Sequence, residues 1–371
     1  MNRPELESEL LAWMASGEWA PDPERFERIA CELFRFQFEH CDPYARLCRS
    51  LHITPDQISC ADEIPAVPTG AFKEFDLRCF EAEDTLRTFR TSGTSTDRKG
   101  ELHLDRLDLY EASLLAGLRH ALLVERTGQP TLMRILTPSP LEAPDSSLSY
   151  MFGALLEAEG GPASGFDMHG GKLDLLALRT ATAQAQRSGD ACLIAGTAFA
   201  FVHFLDAVGD ETWALPSGSR VMETGGFKGR SREVPRELLH RSLAAHFGIP
   251  EASIINQYGM TELGSQFYDS TLVDPAGPRR KLAPPWARVR IVDPASGREL
   301  PPGEVGLILI QDLANTGSIA AVQTADLGLI TLDSDAGQSG FEIVGRDAGA
   351  ETRGCSIATD VMLEAARGVG R

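Results

Sequence analysis

No stretch of about 18 apolar residues occurs in this 371-residue chain, so no segment is long enough to cross a bilayer as a helix. Positive charge is also in deficit: 35 Lys and Arg stand against 53 Asp and Glu, a net charge of −18. Nucleic-acid binding rests on clustered cations that neutralise phosphates, and this balance argues against it. A single nucleotide is not excluded, since it needs only a local cradle. The N-terminus, MNRPELESEL, lacks the basic stretch and apolar core of a secretory signal, so the cytoplasm is the expected compartment. The seven cysteines (Cys31, Cys41, Cys48, Cys60, Cys79, Cys192 and Cys355) are scattered, odd in number and without a Cys-x-x-Cys pair, so neither a zinc site nor a disulfide framework is indicated. Six are expected to be small buried hydrophobes in a reducing compartment. No internal repeat and no low-complexity linker is present.

What remains is an ordinary globular composition, 43% hydrophobic and 24% charged, long enough for one large or two medium domains. Residues 1 to about 52 carry apolar side chains at helical spacing, among them Leu6, Leu10, Trp13, Ile29 and Leu33, although Phe34, Phe36 and Phe38 also fit a strand period. The segment IPAVPTGAFK, Ile64 to Lys73, is too rich in Pro and Gly for a helix and reads as an ordered loop. From about residue 86 helices and strands alternate. Helices are expected over Arg106–Val124, Lys172–Arg187, the run ending at Val208, and Pro235–Phe247. Strands are expected over Thr131–Leu136, Ala191–Ala195, Arg220–Glu223 and Ser253–Asn256. Such alternation marks βαβ units around a mostly parallel sheet. After about residue 285 the pattern becomes antiparallel β, with strands over Ala287–Val292, Gly306–Gln311, Leu329–Leu332 and Phe341–Val344. The expected organisation is a helical segment over 1–60, an α/β body over 61–285, a β subdomain over 286–345 and a tail over 346–371.

Four stretches carry chemistry. The first is Thr91-Ser92-Gly93-Thr94-Ser95-Thr96-Asp97-Arg98-Lys99-Gly100. Small hydroxyl residues around a glycine let backbone N–H and side-chain O–H groups converge on phosphate oxygens, and Lys99 adds a point charge for a departing pyrophosphate. The same composition suits an exposed surface loop, and the glycine spacing of a P-loop is absent. The second, Asn256-Gln257-Tyr258-Gly259-Met260-Thr261-Glu262, follows an expected buried strand, where α/β sheets bind ligands. Tyr258 offers a flat face to a purine, Thr261 a hydroxyl to a phosphate, and Glu262 a carboxylate to Mg²⁺; a plain strand-to-loop turn accounts for the residues equally well. The third is Asp326 in an expected turn, QTADLG, either a ribose acceptor or a structural turn residue. The fourth is Gly345-Arg346-Asp347, with Arg353-Gly354-Cys355 beyond it.

Taken in order, these stretches resemble the adenylate-forming superfamily of acyl-CoA synthetases, adenylation domains and luciferases, over roughly residues 60 to 357. IPAVPTGAFK ahead of the loop and ETGGFKG (Glu223 to Gly229) in the middle resemble more narrowly the acyl-protein synthetases (LuxE-like), the fatty-acid-activating subunits of the bioluminescence fatty acid reductase complex. The resemblance implies an α/β fold: the large N-terminal domain of these enzymes, with mostly parallel sheets flanked by helices and a C-terminal antiparallel β region, but no full mobile C-terminal domain. It also implies ATP and Mg²⁺ as cofactors. Thr91 to Lys99 would hold the β,γ-phosphates, Gly225 and Gly226 would admit adenine, and Gln257, Tyr258 and Gly259 would pack beside it. Thr261 would touch the α-phosphate, Glu262 would bind the metal, and Asp326 and Arg346 would contact the nucleotide. Thr96 and Arg98 depart from the superfamily's usual Gly and Pro.

The implied activity is activation of a carboxylic, fatty acid to acyl-AMP and transfer to a thiol. In acyl-protein synthetases a cysteine near the C-terminus carries the acyl group, a role that falls here on Cys355. An ordinary thiol is mostly protonated at neutral pH and needs a basic neighbour, for which Arg353 and Lys228 are the candidates. The implied partner is an acyl reductase (LuxC-like) that accepts the acyl group. Two alternatives stay open: a stand-alone ligase serving coenzyme A or a carrier protein, and a non-catalytic nucleotide-binding scaffold. Gly196 to Phe199 and Ser147 to Met151 are candidate acyl linings, with His169 and His203 as candidate gates or bases; core packing explains them equally well.

Overall fold

Chain entry is fixed by capping chemistry. In the computed structural model, Asn2 accepts a hydrogen bond from the Glu5 N–H while Glu5 accepts from the Asn2 N–H, a reciprocal box that starts helix α1 (Arg3–Ser16). Gly17, at φ +71°, ends it in the left-handed conformation that glycine tolerates best. The structure describes residues 2–92, 98–124, 130–225, 234–332, 339–347 and 362.

Further helices are α2 (Pro23–His40), α3 (Asp42–Ser50), α4 (Ala71–Glu74), α5 (Asp108–Leu122), α6 (Ser147–Glu159), α7 (Leu175–Ser188), α8 (Ala198–Val208) and α9 (Arg236–Phe247). Strands are β1 (Val67–Pro68), β2 (Arg87–Arg90), β3 (Glu101–Leu104), β4 (Leu132–Leu136), β5 (Gly165–Phe166), β6 (Met168–His169), β7 (Lys172–Leu173), β8 (Cys192–Thr197), β9 (Arg220–Thr224) and β10 (Ile254–Tyr258). They continue with β11 (Phe267–Asp269), β12 (Lys281–Leu282), β13 (Ala287–Val292), β14 (Gly306–Asp312), β15 (Ala321–Thr331) and β16 (Gly340–Arg346). The fold class is α/β. Among the described residues no helix is long and apolar enough to cross a membrane.

The chain divides into two compact units, one of residues 1–116, 260–266 and 280–371, the other of residues 117–259 and 267–279. In the second unit β5, β4, β8, β9 and β10 run parallel in that order, and β11 closes antiparallel on β10. Strands covered on both faces read as apolar runs, which is why Cys192–Ala195 is wholly buried. Ile194, Phe201, Phe204, Val221, Leu243, Phe247 and Ile254 form its core, and Phe204 stacks on Phe247 at 5.3 Å. The expected helix over Lys172–Arg187 begins later than the sequence suggests. Lys172 and Leu173 pair with His169 and Met168, and Asp174 caps α7 by accepting from the Ala177 N–H at 2.9 Å. The cap side chain sets the boundary.

In the first unit β13, β14, β15, β16 and β12 are neighbours in that order, joined antiparallel from β13 through β16 and again from β16 to β12. The N-terminal helices lie against this sheet: Trp286 meets Trp13 at 6.5 Å and Trp19 at 5.6 Å, and the Arg288 guanidinium lies 4.3 Å over Phe26. Phe34, Phe36 and Phe38 are helical, in α2. The expected strand Leu329–Leu332 proves to be only the end of the eleven-residue β15. On one side β15 pairs with β14; on the other it pairs first with β1, at Val322 and Gln323, and then with β16, from Asp326 onward. Asp326 therefore lies within a strand, not in a turn. Of the six cysteines expected to be buried, Cys41, Cys48, Cys79 and Cys192 are, whereas Cys31 and Cys60 are half-exposed.

Candidate functional site

The Ser/Thr/Gly stretch is the connection of a β-hairpin. Antiparallel β2 and β3 end at the Arg90–Glu101 pair. One step further the Thr91 N–H donates to the Gly100 carbonyl, and the Gly100 N–H returns to the Thr91 hydroxyl, both at 2.9 Å. Thr91 and Gly100 thus form a neck, with Ser92 and Lys99 exposed just beyond it. Gly93, Thr94, Ser95 and Thr96 lie outside the described residues. A Cβ on Gly100 would stand 3.1 Å from Thr91 Cγ2 and 3.6 Å from Lys73 Cγ, so the neck leaves no room for a side chain there. Beside it the Arg98 guanidinium meets the Glu74 carboxylate at 3.2 Å.

Lys73 was not singled out by its sequence context. It reaches the neck because β1 pairs with β15, the Thr69 N–H donates to the Gln323 carbonyl at 3.0 Å, and α4 then turns the chain towards Gly100. The IPAVPTGAFK segment, expected as a loop, is therefore a strand and a helical turn connecting the hairpin neck to β15.

Asp326 is placed where β1 leaves β15 and β16 takes over. Its direct cross-strand partner is Arg346, and its N–H donates to the Thr324 hydroxyl at 3.1 Å. A register shift follows between Leu327 and Gly328. The Asp347 N–H donates to the Ala325 carbonyl at 3.0 Å, which holds Arg346 against Asp326. Asp326 is half-buried and Arg346 exposed.

Thr261 and Glu262 belong to the same unit, on a short turn closed by the Leu263 N–H on the Met260 carbonyl at 3.3 Å. Glu262 is 6% exposed. The turn is laid on residues 312–315. The fully buried Asp312 carboxylate accepts from the Ser265 N–H and hydroxyl, both at 2.7 Å, and from the Ala314 N–H at 3.1 Å. Burial pushes the Asp312 carboxyl above the usual aspartate range, against the pull of these donors. The Ser265 hydroxyl also meets Ser113 at 2.9 Å and the Trp286 indole N–H at 3.2 Å. Among the described residues no three His, Cys, Asp or Glu side chains group to hold a metal. Mg²⁺ carried on a polyphosphate needs only one or two protein carboxylates, and Glu262 is one such group.

The remaining candidates belong to the other unit, at the carboxyl ends of parallel β9 and β10. The Thr224 hydroxyl donates to the Gln257 carbonyl at 3.1 Å and also touches the Gln257 side chain. Tyr258 is half-buried, its ring 6.2 Å from Phe267, and Gly259 follows it. Gly225 has φ +77° and nothing within 4 Å of a would-be Cβ; Gly226 lies outside the described residues. Below them the buried Glu223 carboxylate accepts from Asn256 Nδ2 at 2.7 Å and meets His240 Nε2 at 3.0 Å. Phe199 stands against His203 at 4.4 Å, and His169 lies 3.7 Å from Glu142. Cys355, with Arg353, and Lys228 lie outside the described residues.

This α/β architecture is shared with solved acyl-CoA ligase structures. A solved structure of a 2-hydroxyisobutyryl-CoA ligase in complex with 2-HIB-AMP and CoA matches at a TM-score of 0.63, covering 90% of this chain and 77% of its own, at 15% identity. The chain belongs to the acyl-protein synthetase family: the family's description, "Acyl-protein synthetase, LuxE", is matched over residues 18–365. The long-chain-fatty-acid–luciferin-component ligase of Aliivibrio fischeri is 24% identical over 321 residues, 84% of this chain and 82% of the relative. The Vibrio harveyi protein of the same name is 22% identical over 337 residues, 89% and 86% of the two chains. The protein is thus a ligase.

Proposed function

We propose that this ligase activates a carboxylic acid, of the fatty class, with ATP. The observation that carries the reading is the placement of Asp326 and Arg346 as cross-strand partners at the point where β1 departs towards Lys73 and the Thr91–Gly100 neck. In the proposed first step a carboxylate oxygen attacks the α-phosphorus of ATP. The bond from that phosphorus to the bridging oxygen breaks, and pyrophosphate leaves with the electron pair. Lys99 and Lys73 hold the departing phosphates together with the donors of Thr91 and Ser92, and Thr261 hydrogen-bonds the α-phosphate. Asp326 accepts from the ribose hydroxyls, with Arg346 beside it. Bound at Glu262, Mg²⁺ would neutralise phosphate charge.

In the second step the Cys355 thiolate, its proton lost to solvent, attacks the acyl carbon and AMP departs, leaving a thioester. An acyl reductase would take the acyl group from there. Acid-dependent ATP–pyrophosphate exchange over a panel of acids, followed by intact-protein mass, tests both steps. A fatty acid supporting exchange and adding one acyl mass, absent in Cys355→Ser, is the expected result. Exchange without acylation, with turnover only on adding coenzyme A or a carrier protein, would move the acceptor off Cys355. No exchange with any acid would mean a nucleotide-binding scaffold.

A further inference from the structure

The turn that carries Thr261 and Glu262 has no regular secondary structure of its own, so its shape must come from what it touches. A side-chain tether of its backbone is Asn315, whose Nδ2 donates to the Glu262 carbonyl and to the Ile319 carbonyl, both at 3.0 Å. Both neighbours are acceptors, so the amide has one consistent orientation. Asn315 is in turn held by α2. Gln37, 1% exposed, donates through Nε2 to the Asn315 carbonyl at 3.0 Å and to the Ser318 carbonyl, and its Oε1 accepts from the Ala320 N–H at 3.2 Å. Three carbonyls and an amide of the connection between β14 and β15 are thereby gathered by two side-chain carboxamides.

Asn315 is 1% exposed, yet its Oδ1 has no hydrogen-bond partner among the described residues. A buried, unsatisfied amide oxygen is destabilising. The residue keeps that penalty and spends both donors on carbonyls, one of them the carbonyl of the candidate metal carboxylate. The packing beneath is equally tight: a Cβ on Gly264 would lie 3.1 Å from Ala314 Cβ and 3.2 Å from its carbonyl carbon.

We infer that Gln37 and Asn315 are positioning residues that run from the N-terminal helix α2 to the backbone of Glu262 and fix that carboxylate for a metal–nucleotide complex. The inference rests on the proposed metal role of Glu262. Outer-shell groups that orient a metal ligand commonly change metal affinity by about 10–100-fold.

The test is equilibrium binding of Mn²⁺ in the presence of saturating ATP, read by electron paramagnetic resonance, beside ATP binding in EDTA and the thermal midpoint. Asn315→Ala is expected to weaken Mn²⁺ binding by about tenfold, the low end for such groups, with ATP binding in EDTA unchanged. Gln37→Leu, which keeps side-chain bulk, shifts it in the same direction. The double variant is less than additive, because both act on one chain of contacts. Gln311→Leu is the control: Gln311 is equally buried, but its side chain tethers the Ala61 carbonyl rather than the Glu262 carbonyl. If Asn315→Ala and Gln37→Leu lower the thermal midpoint as Gln311→Leu does and leave Mn²⁺ affinity within about twofold, against the tenfold expected, the two residues are merely structural and the inference is overturned. Should Asn315→Ala not fold, Gln37→Leu decides alone. Glu262→Gln separates the layers: if it too binds Mn²⁺ like the parent, the metal role of Glu262 falls and takes this inference with it; if it binds weakly while the tether variants do not, only the tether falls.

Discussion

Asp326 and Arg346 are direct partners across antiparallel β15 and β16, so their side chains rise from the same face of the sheet. The pairing places an acceptor and a cation side by side at the first rung of the β15–β16 ladder, three residues beyond the last β15 residue that pairs with β1. A carboxylate in a strand is held more rigidly than one in a turn, because the flanking ladder bonds fix its Cα. That rigidity is what recognition of a diol requires.

Asp326→Ala should therefore raise the KM for ATP in acid-dependent pyrophosphate exchange by about 10–100-fold, since a hydrogen bond to a charged group contributes about 1.5–3 kcal/mol. Arg346→Ala, on an exposed side chain, should raise it less. An unchanged KM in Asp326→Ala removes the residue from the nucleotide site.

At the hairpin neck, Lys73 and Lys99 are the two cations proposed for the departing phosphates. Lys99 is exposed beside the loop, whereas Lys73 comes from α4 and is half-buried against Gly100. If both meet the departing phosphates, Lys73→Ala should lower kcat for pyrophosphate exchange by about 10²-fold, the loss typical of one preorganised donor. Lys73→Arg should recover only part, because a guanidinium is not a compact point charge. A Lys73→Ala enzyme with parental kcat confines the task to Lys99.

The legible and illegible parts of this fold differ for physical reasons. The parallel unit was readable because strands buried on both faces are apolar runs and the helices between them carry their own caps, such as Asp174 before α7. β13 was found to the residue, since its alternation is uninterrupted. β15 was mostly missed: Gln323, Thr324 and Asp326 break its apolar pattern, and only pairing with β1, β14 and β16 holds it extended. Candidate residues with a charge or an aromatic ring stood out in the sequence. Gln37 and Asn315 did not, because they act through backbone carbonyls of residues far along the chain, and no local pattern encodes such partners.

Acid should weaken the fold through the half-buried His120 and the buried His246. Burial pushes His120 from 6.5 down to about 4, and His246, packed against Phe204, Trp213 and Phe247, moves in the same direction. A histidine whose folded pKa is depressed holds fewer protons than it does in the unfolded chain. Its contribution is complete above 6.5, is lost as pH falls from there towards about 4, and changes no further below. Urea unfolding at a series of pH values should show His120→Gln losing less stability than the parent across that window. Parallel curves would mean that His120 is not held as neutral imidazole in the fold.

Asp312 tests whether the turn beneath Glu262 is built on a carboxylate or merely on a polar side chain of that shape. Its two oxygens accept from the Ser265 N–H, the Ser265 hydroxyl and the Ala314 N–H. An asparagine there must turn an NH₂ group towards a donor, since Ser265 N–H and Ala314 N–H approach different oxygens. Asp312→Asn should therefore lower the unfolding free energy by about 3 kcal/mol, the scale of a buried donor left without an acceptor beside a repulsive one. Ser265→Ala leaves the N–H bond in place but removes the hydroxyl's bonds to Asp312, Ser113 and Trp286, so it should lose about 2 kcal/mol, less than Asp312→Asn because Trp286 keeps Ser113 as a partner. Because burial raises the Asp312 carboxyl in the fold, protonating it favours the folded state, and the deficit of Asp312→Asn relative to the parent should persist or widen as pH falls towards 4. Asp312→Asn as stable as the parent in urea would show that the amide is accommodated by a rearranged Ser265, and the turn would then rest on Asn315 and the packing of Gly264 on Ala314 alone.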